Sequence, residues 1–241
     1  MTLHATPFAA SLSDFAVTRR WPPRNPERLQ LYSFATPNGV KISAALEELG
    51  LPYEAHLVNI IQNDQLSPEF LSLNPNNKIP AIVDPHGPGG RPLALFESGA
   101  ILLYLADKTG RLVPADPARY WQTVQWVMFQ MGGIGPMFGQ FGHFYKFAAD
   151  KITDPYPTQR YLDESRRLLG VLEGRLTGRT WIMDDDYTIA DIALWPWVNA
   201  LDFYGATEVL GLAEFPAVSA WLERCKARPA SERARNIPPR P

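Results

Sequence analysis

The chain has 241 residues, 46% hydrophobic and 20% charged, which is enough for one large or two small domains with the balance of a soluble globular protein. Its 23 Lys and Arg against 25 Asp and Glu give 23 − 25 = −2, so no strongly basic face is implied and nucleic acid is set aside as a partner. Cys225 is the single cysteine, which excludes an internal disulfide and a cysteine zinc site, so any thiol chemistry must bring its thiol with a ligand. No apolar run reaches the roughly 18 residues of a membrane span. Charges and prolines interrupt residues 14–28, where a signal-peptide core would fall, so the expectation is a cytoplasmic protein.

Residues 1–28 read as an extension with neither helical nor strand period, and the sequence leaves two outcomes open. The segment is flexible, or it wraps the body through Phe15 and Trp21. A short strand is expected over 29–34. The turn Thr36-Pro37-Asn38-Gly39 follows, with Asn38 as the candidate cap of a helix whose apolar face is Val40, Ile42, Ala45, Leu46 and Leu49. Gly50 is its expected stop, and a second strand follows over 53–59. Residues 62–77 read as loop with a short helix over 68–73.

The stretch 74–107 carries the most information: turn, strand, loop, strand, helix. Pro80 donates no hydrogen bond, so it belongs at the start of the strand Ala81-Ile82-Val83 and outside its ladder. A cis Ile79-Pro80 bond would leave the Ile79 N–H and C=O to pair with an extended peptide. The second strand, 93–96, runs straight into an apolar helix with Ser98 as candidate cap. Open N–H groups at that helix start favour a carboxylate, and Glu97 beside them suits an amine. A small peptide with free charged ends fits this set of groups.

Breakers at Gly110, Pro114 and Pro117 mark a linker, after which the pattern is only helical, over 118–145, 157–177, 188–204 and 216–227. The first of these is rich in aromatic residues and methionine, as a core or subunit interface would be, and its glycines and Pro136 should bend it. Thr188-Ile-Ala-Asp191 reads as a capping box, a folding signal, with Tyr187 and Ile192 as its hydrophobic staple. The four histidines show no metal-ligand spacing, so no metal is expected.

The motifs N-K-I-P-A-I and F-E-S-G-A-I-L-L-Y-L resemble the glutathione-binding half of the glutathione transferases. Thr36-Pro37-Asn38-Gly39 is similar to the bacterial disulfide-bond reductase (Nu-class) branch and to its fungal nitrogen-regulator relative, and the resemblance runs over about 29–229. It implies an α/β thioredoxin-like domain (29–110), a linker (111–117), an all-α domain (118–230) and a C-terminal tail (231–241), in a homodimer. It implies glutathione as bound co-substrate, reacting with a disulfide or an electrophilic small molecule. It also implies site residues: Ser98 for the γ-glutamyl carboxylate, Glu97 for the amine, and Ile79 with Pro80 for the cysteinyl backbone. Lys78 and Gln65 are implied for the glycyl end or a second glutathione, and Arg160 as an arginine reaching the site from the helical domain. His143, in a stretch similar to the same branch, is favoured as structural.

The thiol decides the chemistry. A free thiol with a pKa of about 8.5 is barely ionised at neutral pH, and lowering it by about two units takes about 2.7 kcal/mol of preference for the thiolate. Two donors to charged sulfur, at roughly 1.5–3 kcal/mol each, supply that. Thr36 and Asn38, where the first strand ends and a helix starts, are the candidate catalytic pair; Tyr32, inside an apolar run of that strand, is expected to be a packed ring. The leading expectation is glutathione-dependent disulfide reduction with some transferase activity. The alternatives are a non-catalytic glutathione-binding regulator and a transferase specialised for ethers or carbon–halogen bonds.

Overall fold

A computed structural model describes residues 9–239. The chain divides into two compact units, Met1–Ile101 with Arg233–Pro241, and Leu102–Glu232.

The first unit is built on four strands, β1 (Leu29–Ser33), β2 (Tyr53–Leu57), β3 (Ala81–Asp84) and β4 (Leu93–Phe96), in the order β2-β1-β3-β4. β1 and β2 are parallel, β3 runs antiparallel to β1, and β3 and β4 form a hairpin. All five residues of β1 are buried, as in a strand covered on both faces. Helix α2 (Pro37–Leu49) links β1 to β2, with Val40, Ile42, Ala44, Ala45, Leu46 and Leu49 buried. It ends at Gly50, whose φ of 65° is the left-handed stop expected, with Leu51 N–H closing back on the Leu46 carbonyl. At its start the expectation needs correcting. The cap position belongs to Thr36, with Pro37 first in the helix and Asn38 already inside it. Gly39 is required there for space, because a Cβ would lie 2.0 Å from the Phe34 carbonyl oxygen and 2.6 Å from Ser33 Oγ.

The Ile79-Pro80 bond is cis, and ladder pairing in β3 begins at Ala81. β3 is thus an inner strand, and the backbone available to a peptide is the segment just ahead of it rather than a strand edge. α3 (Pro68–Leu73) is capped by Ser67, and α4 (Ser98–Thr109) follows β4 after one residue.

Of the two outcomes left open for the extension, residues 9–28 take the second. They include a one-turn helix α1 (Val17–Arg20), and they bury Leu12 and Val17 in one cluster with Tyr32, Val58, Phe70 and Val83. Phe15 and Trp21 pack against that cluster. Trp21 Nε1 donates to the Leu57 carbonyl at 2.8 Å, and the N–H groups of Arg24 and Asn25 donate to the Glu54 carboxylate. Residues 1–8 of the extension lie outside the described residues.

The second unit is helical: α5 (Pro117–Phe129), α6 (Gly135–Gly142), α7 (Tyr156–Leu176), α8 (Ile189–Tyr204), α9 (Pro216–Lys226) and the short α10 (Pro229–Ala234), whose end belongs to the first unit. The single helix expected over 118–145 is interrupted by two wide, π-helical turns at Gln130–Ile134 and His143–Phe147. Pro136 has no N–H to return to the preceding turn, and the surrounding glycines remove the side chains that would hold it, so the helix widens there. The capping box forms as expected: Thr188 Oγ1 accepts from Ala190 N–H, and Asp191 accepts from Thr188 N–H at 3.0 Å. Asp191, fully buried, also takes Ile182 N–H and Trp221 Nε1–H at 2.9 Å each, joining α8 to α9 and to the loop before α8. Among the described residues no helix is long and apolar enough to cross a membrane.

Candidate functional site

In the first unit three chain segments meet at a cleft of about 100 Å³. Asn38 comes from the first turn of α2; Asn74, Lys78, Ile79 and Pro80 come from the loop before β3; Glu97 and Ser98 come from the β4–α4 turn. The volume is well below the roughly 300–1,000 Å³ of pockets that swallow a whole ligand. It suits one end of a peptide, with the rest lying across the surface. A larger hollow of about 440 Å³ lies at the hairpin loop around Pro88, Gly89 and Arg91, but none of the candidate residues lines it.

The β4–α4 turn sets the cleft's chemistry. Glu97, not Ser98, is the residue before the helix: its carbonyl accepts Ile101 N–H at 3.0 Å, and its φ is 71°. A left-handed glutamate is uncommon and costs of order 1–3 kcal/mol, a cost typically met at ligand sites. The turn leaves the Glu97 side chain exposed and sinks Ser98 to 3% exposure at the helix N-terminus, where backbone N–H groups favour an anion.

Ser98 rests on a residue that reading the sequence did not single out. Lys41, from the buried face of α2, is fully buried and donates from Nζ to Ser98 Oγ at 3.1 Å. Burial pulls its pKa down to about 7, against the opposing pull of the Glu97 carboxylate. The signal was present: a lysine set between Val40 and Ile42, one turn before Ala45, falls on the apolar side of the helix. Asn74 was also missed. It is 1% exposed, donates from Nδ2 to the Lys78 carbonyl at 2.6 Å and accepts Asn76 N–H at 2.9 Å, so it pins the loop that presents Lys78 and Ile79.

Thr36 sits two residues before Asn38, with Oγ1 3.5 Å from the Phe34 carbonyl, and does not line the cleft. Gln65 lies on a short turn at Asp64–Leu66, away from the cleft lining, and its Oε1 is buried with no hydrogen-bond partner among the described residues. Arg160 is exposed on α7 in the second unit; on its own helix its charge helps hold the Glu164 carboxyl below the usual range, behind the stronger hydrogen bond from Arg167. His143 is exposed, its ring edge-on to Phe144. Cys225 is fully buried.

Tyr32 is a packed ring, as strand alternation predicts. It is fully buried, stacked on His56 at 4.7 Å and edge-on to Trp21 at 6.2 Å. Its hydroxyl has no hydrogen-bond partner among the described residues, and burial raises its pKa far above the ordinary tyrosine value. His56 is held by a relay: Gln30 Nε2 donates to the Asn25 and Arg28 carbonyls, which leaves Gln30 Oε1 to accept from His56 Nε2 at 2.8 Å.

A mixed sheet in this order, a helix N-terminus beside a carboxylate, a cis-proline loop and a following helical unit define the architecture of glutathione transferases. Family comparison agrees: residues 27–107 match the glutathione S-transferase N-terminal domain and residues 136–229 the C-terminal domain. The chain belongs to the glutathione S-transferase family. It is 49% identical over 208 residues to the disulfide-bond oxidoreductase YfcG of Escherichia coli, covering 86% of this chain and 94% of that protein. Among solved structures it is similar to a Burkholderia graminis glutathione transferase with two glutathione molecules bound per subunit (59% identity, TM-score 0.95, all of both chains). A Pseudomonas putida glutathione transferase with one glutathione disulfide bound per subunit is 57% identical, with a TM-score of 0.93 over 95% of this chain and 99% of that one.

Proposed function

We propose that this protein is a glutathione-dependent disulfide-bond oxidoreductase with some glutathione transferase activity. The observation that carries the reading is the convergence, in one cleft, of Ser98 at a helix N-terminus, the Glu97 carboxylate and the Ile79-Pro80 backbone. Ser98 and its N–H take the γ-glutamyl carboxylate, Glu97 takes the ammonium, and Ile79, in the segment just ahead of β3, pairs its backbone with the cysteinyl unit. Lys78 and Gln65 hold the glycyl end or a second glutathione, and Arg160 serves the site from the helical domain. The domains that do this run over 29–110 and 118–230, within a cytoplasmic homodimer.

Thr36 and Asn38 favour the thiolate by donating to sulfur beside the N-terminus of α2. The thiolate attacks one sulfur of a substrate disulfide, forming a new S–S bond and expelling the other sulfur as a thiolate, which takes up a proton. A second glutathione thiolate then attacks the glutathione sulfur of the mixed disulfide. The balance is two glutathione and one disulfide giving glutathione disulfide and two thiols. No thiol of the protein takes part, in keeping with the burial of Cys225.

The names of the relatives support this reading: besides YfcG, the disulfide-bond oxidoreductase YghU of Escherichia coli is 42% identical over 219 residues, 87% of this chain and 74% of that protein. A regulatory reading has one observation behind it, 35% identity over 234 residues to the yeast transcriptional regulator URE2, covering 81% of this chain and 64% of that protein. The test is a side-by-side assay of the purified protein with glutathione and either a small mixed disulfide or a chlorinated aromatic. Disulfide reduction should dominate; turnover of the aromatic alone would reject the oxidoreductase assignment, and no turnover of either would favour the regulator.

A further inference from the structure

The burial of Lys41 is not explained by packing. A lysine ammonium is among the least often buried groups, and this is the one charged residue among the buried residues of α2, which are otherwise apolar apart from Ser43. Its Nζ reaches the hydroxyl at the N-terminus of α4, and the carboxylate of Glu97, the left-handed residue just before that hydroxyl, acts on it. Lys78 lines the same cleft from the loop before β3. Glu47, on Lys41's own helix, is engaged by Tyr53 and Arg233. Asn38, from the start of that helix, brings no charge.

We propose that Lys41 is a positioning residue for the carboxylate bound at Ser98, and that binding there draws a proton onto Lys41. The inference rests on the glutathione reading and names what tunes that same site. Lys41 donates to Ser98 Oγ at 3.1 Å and so fixes the hydroxyl's acceptor side beside the N-terminus of α4, where the ligand carboxylate binds. The carboxylate then lies one hydroxyl away from a buried amine, in surroundings where charges act strongly. Burial favours the neutral amine and pulls its pKa down to about 7, against the opposing Glu97 carboxylate. An anion at Ser98 reverses that preference. By linkage, what raises proton affinity on binding must raise ligand affinity on protonation, so binding should weaken as pH rises past the amine's titration.

The test is calorimetry on the full chain with S-methylglutathione, which carries no thiol proton to confuse the count, in phosphate and in Tris at about pH 8. The wild type should take up a large fraction of one proton per site, and its affinity should fall by up to about tenfold per pH unit near there. Lys41→Met, close in shape and without charge, should bind about tenfold more weakly at neutral pH, take up only the ligand amine's own share of a proton and show a flatter profile. The ligand's own α-amine also takes up protons near pH 8 when it binds as an ammonium at Glu97, so the deciding number is the wild-type uptake minus that of Lys41→Met, with Lys41→Gln as the second variant should Lys41→Met fail to fold. Tight binding without proton uptake, or uptake undiminished in folded Lys41→Met, would overturn the role of Lys41 while leaving the glutathione site standing. Absence of wild-type binding would overturn both.

Discussion

At the scale of single residues, Ser98 and Tyr32 make opposite claims on the ligand. Ser98 is buried at a helix N-terminus and lines the cleft, so Ser98→Ala should weaken glutathione binding by about 1–2 kcal/mol, somewhat under the roughly 1.5–3 kcal/mol of a hydrogen bond to a charged group because backbone N–H groups of the helix remain. Unchanged affinity by calorimetry would remove it from the site. Tyr32 lies in the strand where many glutathione transferases carry a tyrosine that serves the sulfur, but its ring is committed to His56 and Trp21. Asn38→Ala and Thr36→Ala should therefore raise the pKa of the bound thiol and slow turnover, while Tyr32→Phe changes both little. Thiolate absorbance against pH in the three variants measures this, and loss of the signal in folded Tyr32→Phe alone would reassign the activating group. The residues legible in the sequence were those whose type announces chemistry beside a break in structure, such as Glu97-Ser98 after a strand or Ile79-Pro80 before one. Lys41 was not, because a lysine in a helix is ordinarily solvated, and only the packing of α2 shows where its stem leads.

At the scale of elements, periodicity and caps located the four strands and most of the helices, because each is bounded by a residue with a steric reason to be there: Gly50, Pro80, Thr188. What the pattern could not give was the pitch of the helix through Gln130–Ile134, since one widened turn shifts the apolar spacing by about a single residue in a stretch where glycines leave few side chains to mark it. The start of α8 carries a pH signature. Burial raises the Asp191 pKa from 3.8 to about 6, with the hydrogen bonds from Ile182, Thr188 and Trp221 pulling the other way. A carboxyl whose folded pKa is raised contributes stability that is full below its unfolded value and is lost as pH rises through the folded one. Asp191→Ala, which strips partners from four buried donors on three residues, should cost about 3 kcal/mol or more. The gap to wild type in denaturant melts should narrow as pH rises from about 4 to about 6. A gap that widened over that range would contradict the raised pKa.

At the scale of the whole molecule, α5 presents Trp121 at 67% exposure and Met128 at 50%, seven residues apart and so on one face of the helix. A monomer has little reason to leave that much apolar surface in water, and the proposed symmetric pair of chains would cover it. Light scattering at micromolar concentration should report a mass near 54 kDa, twice the 27.0 kDa chain. Trp121→Asp should shift it toward one chain if this face is the interface, and a wild-type monomer would reject the dimer.

Residues 9–28 bear on how the protein can be handled. The family match begins at residue 27, so an expression clone trimmed to the recognisable domain would start there. Such a clone would lose Leu12, Val17 and Trp21, and with them the cover over Tyr32, Val58 and Phe70. It would also lose the donors that Arg24 and Asn25 give to Glu54. The trimmed protein should express into inclusion bodies or melt well below the full chain, even though every residue of the glutathione cleft is still encoded. A fluorescent or affinity tag joined directly at residue 27 invites the same failure, whereas one placed ahead of residue 9 leaves the seal intact.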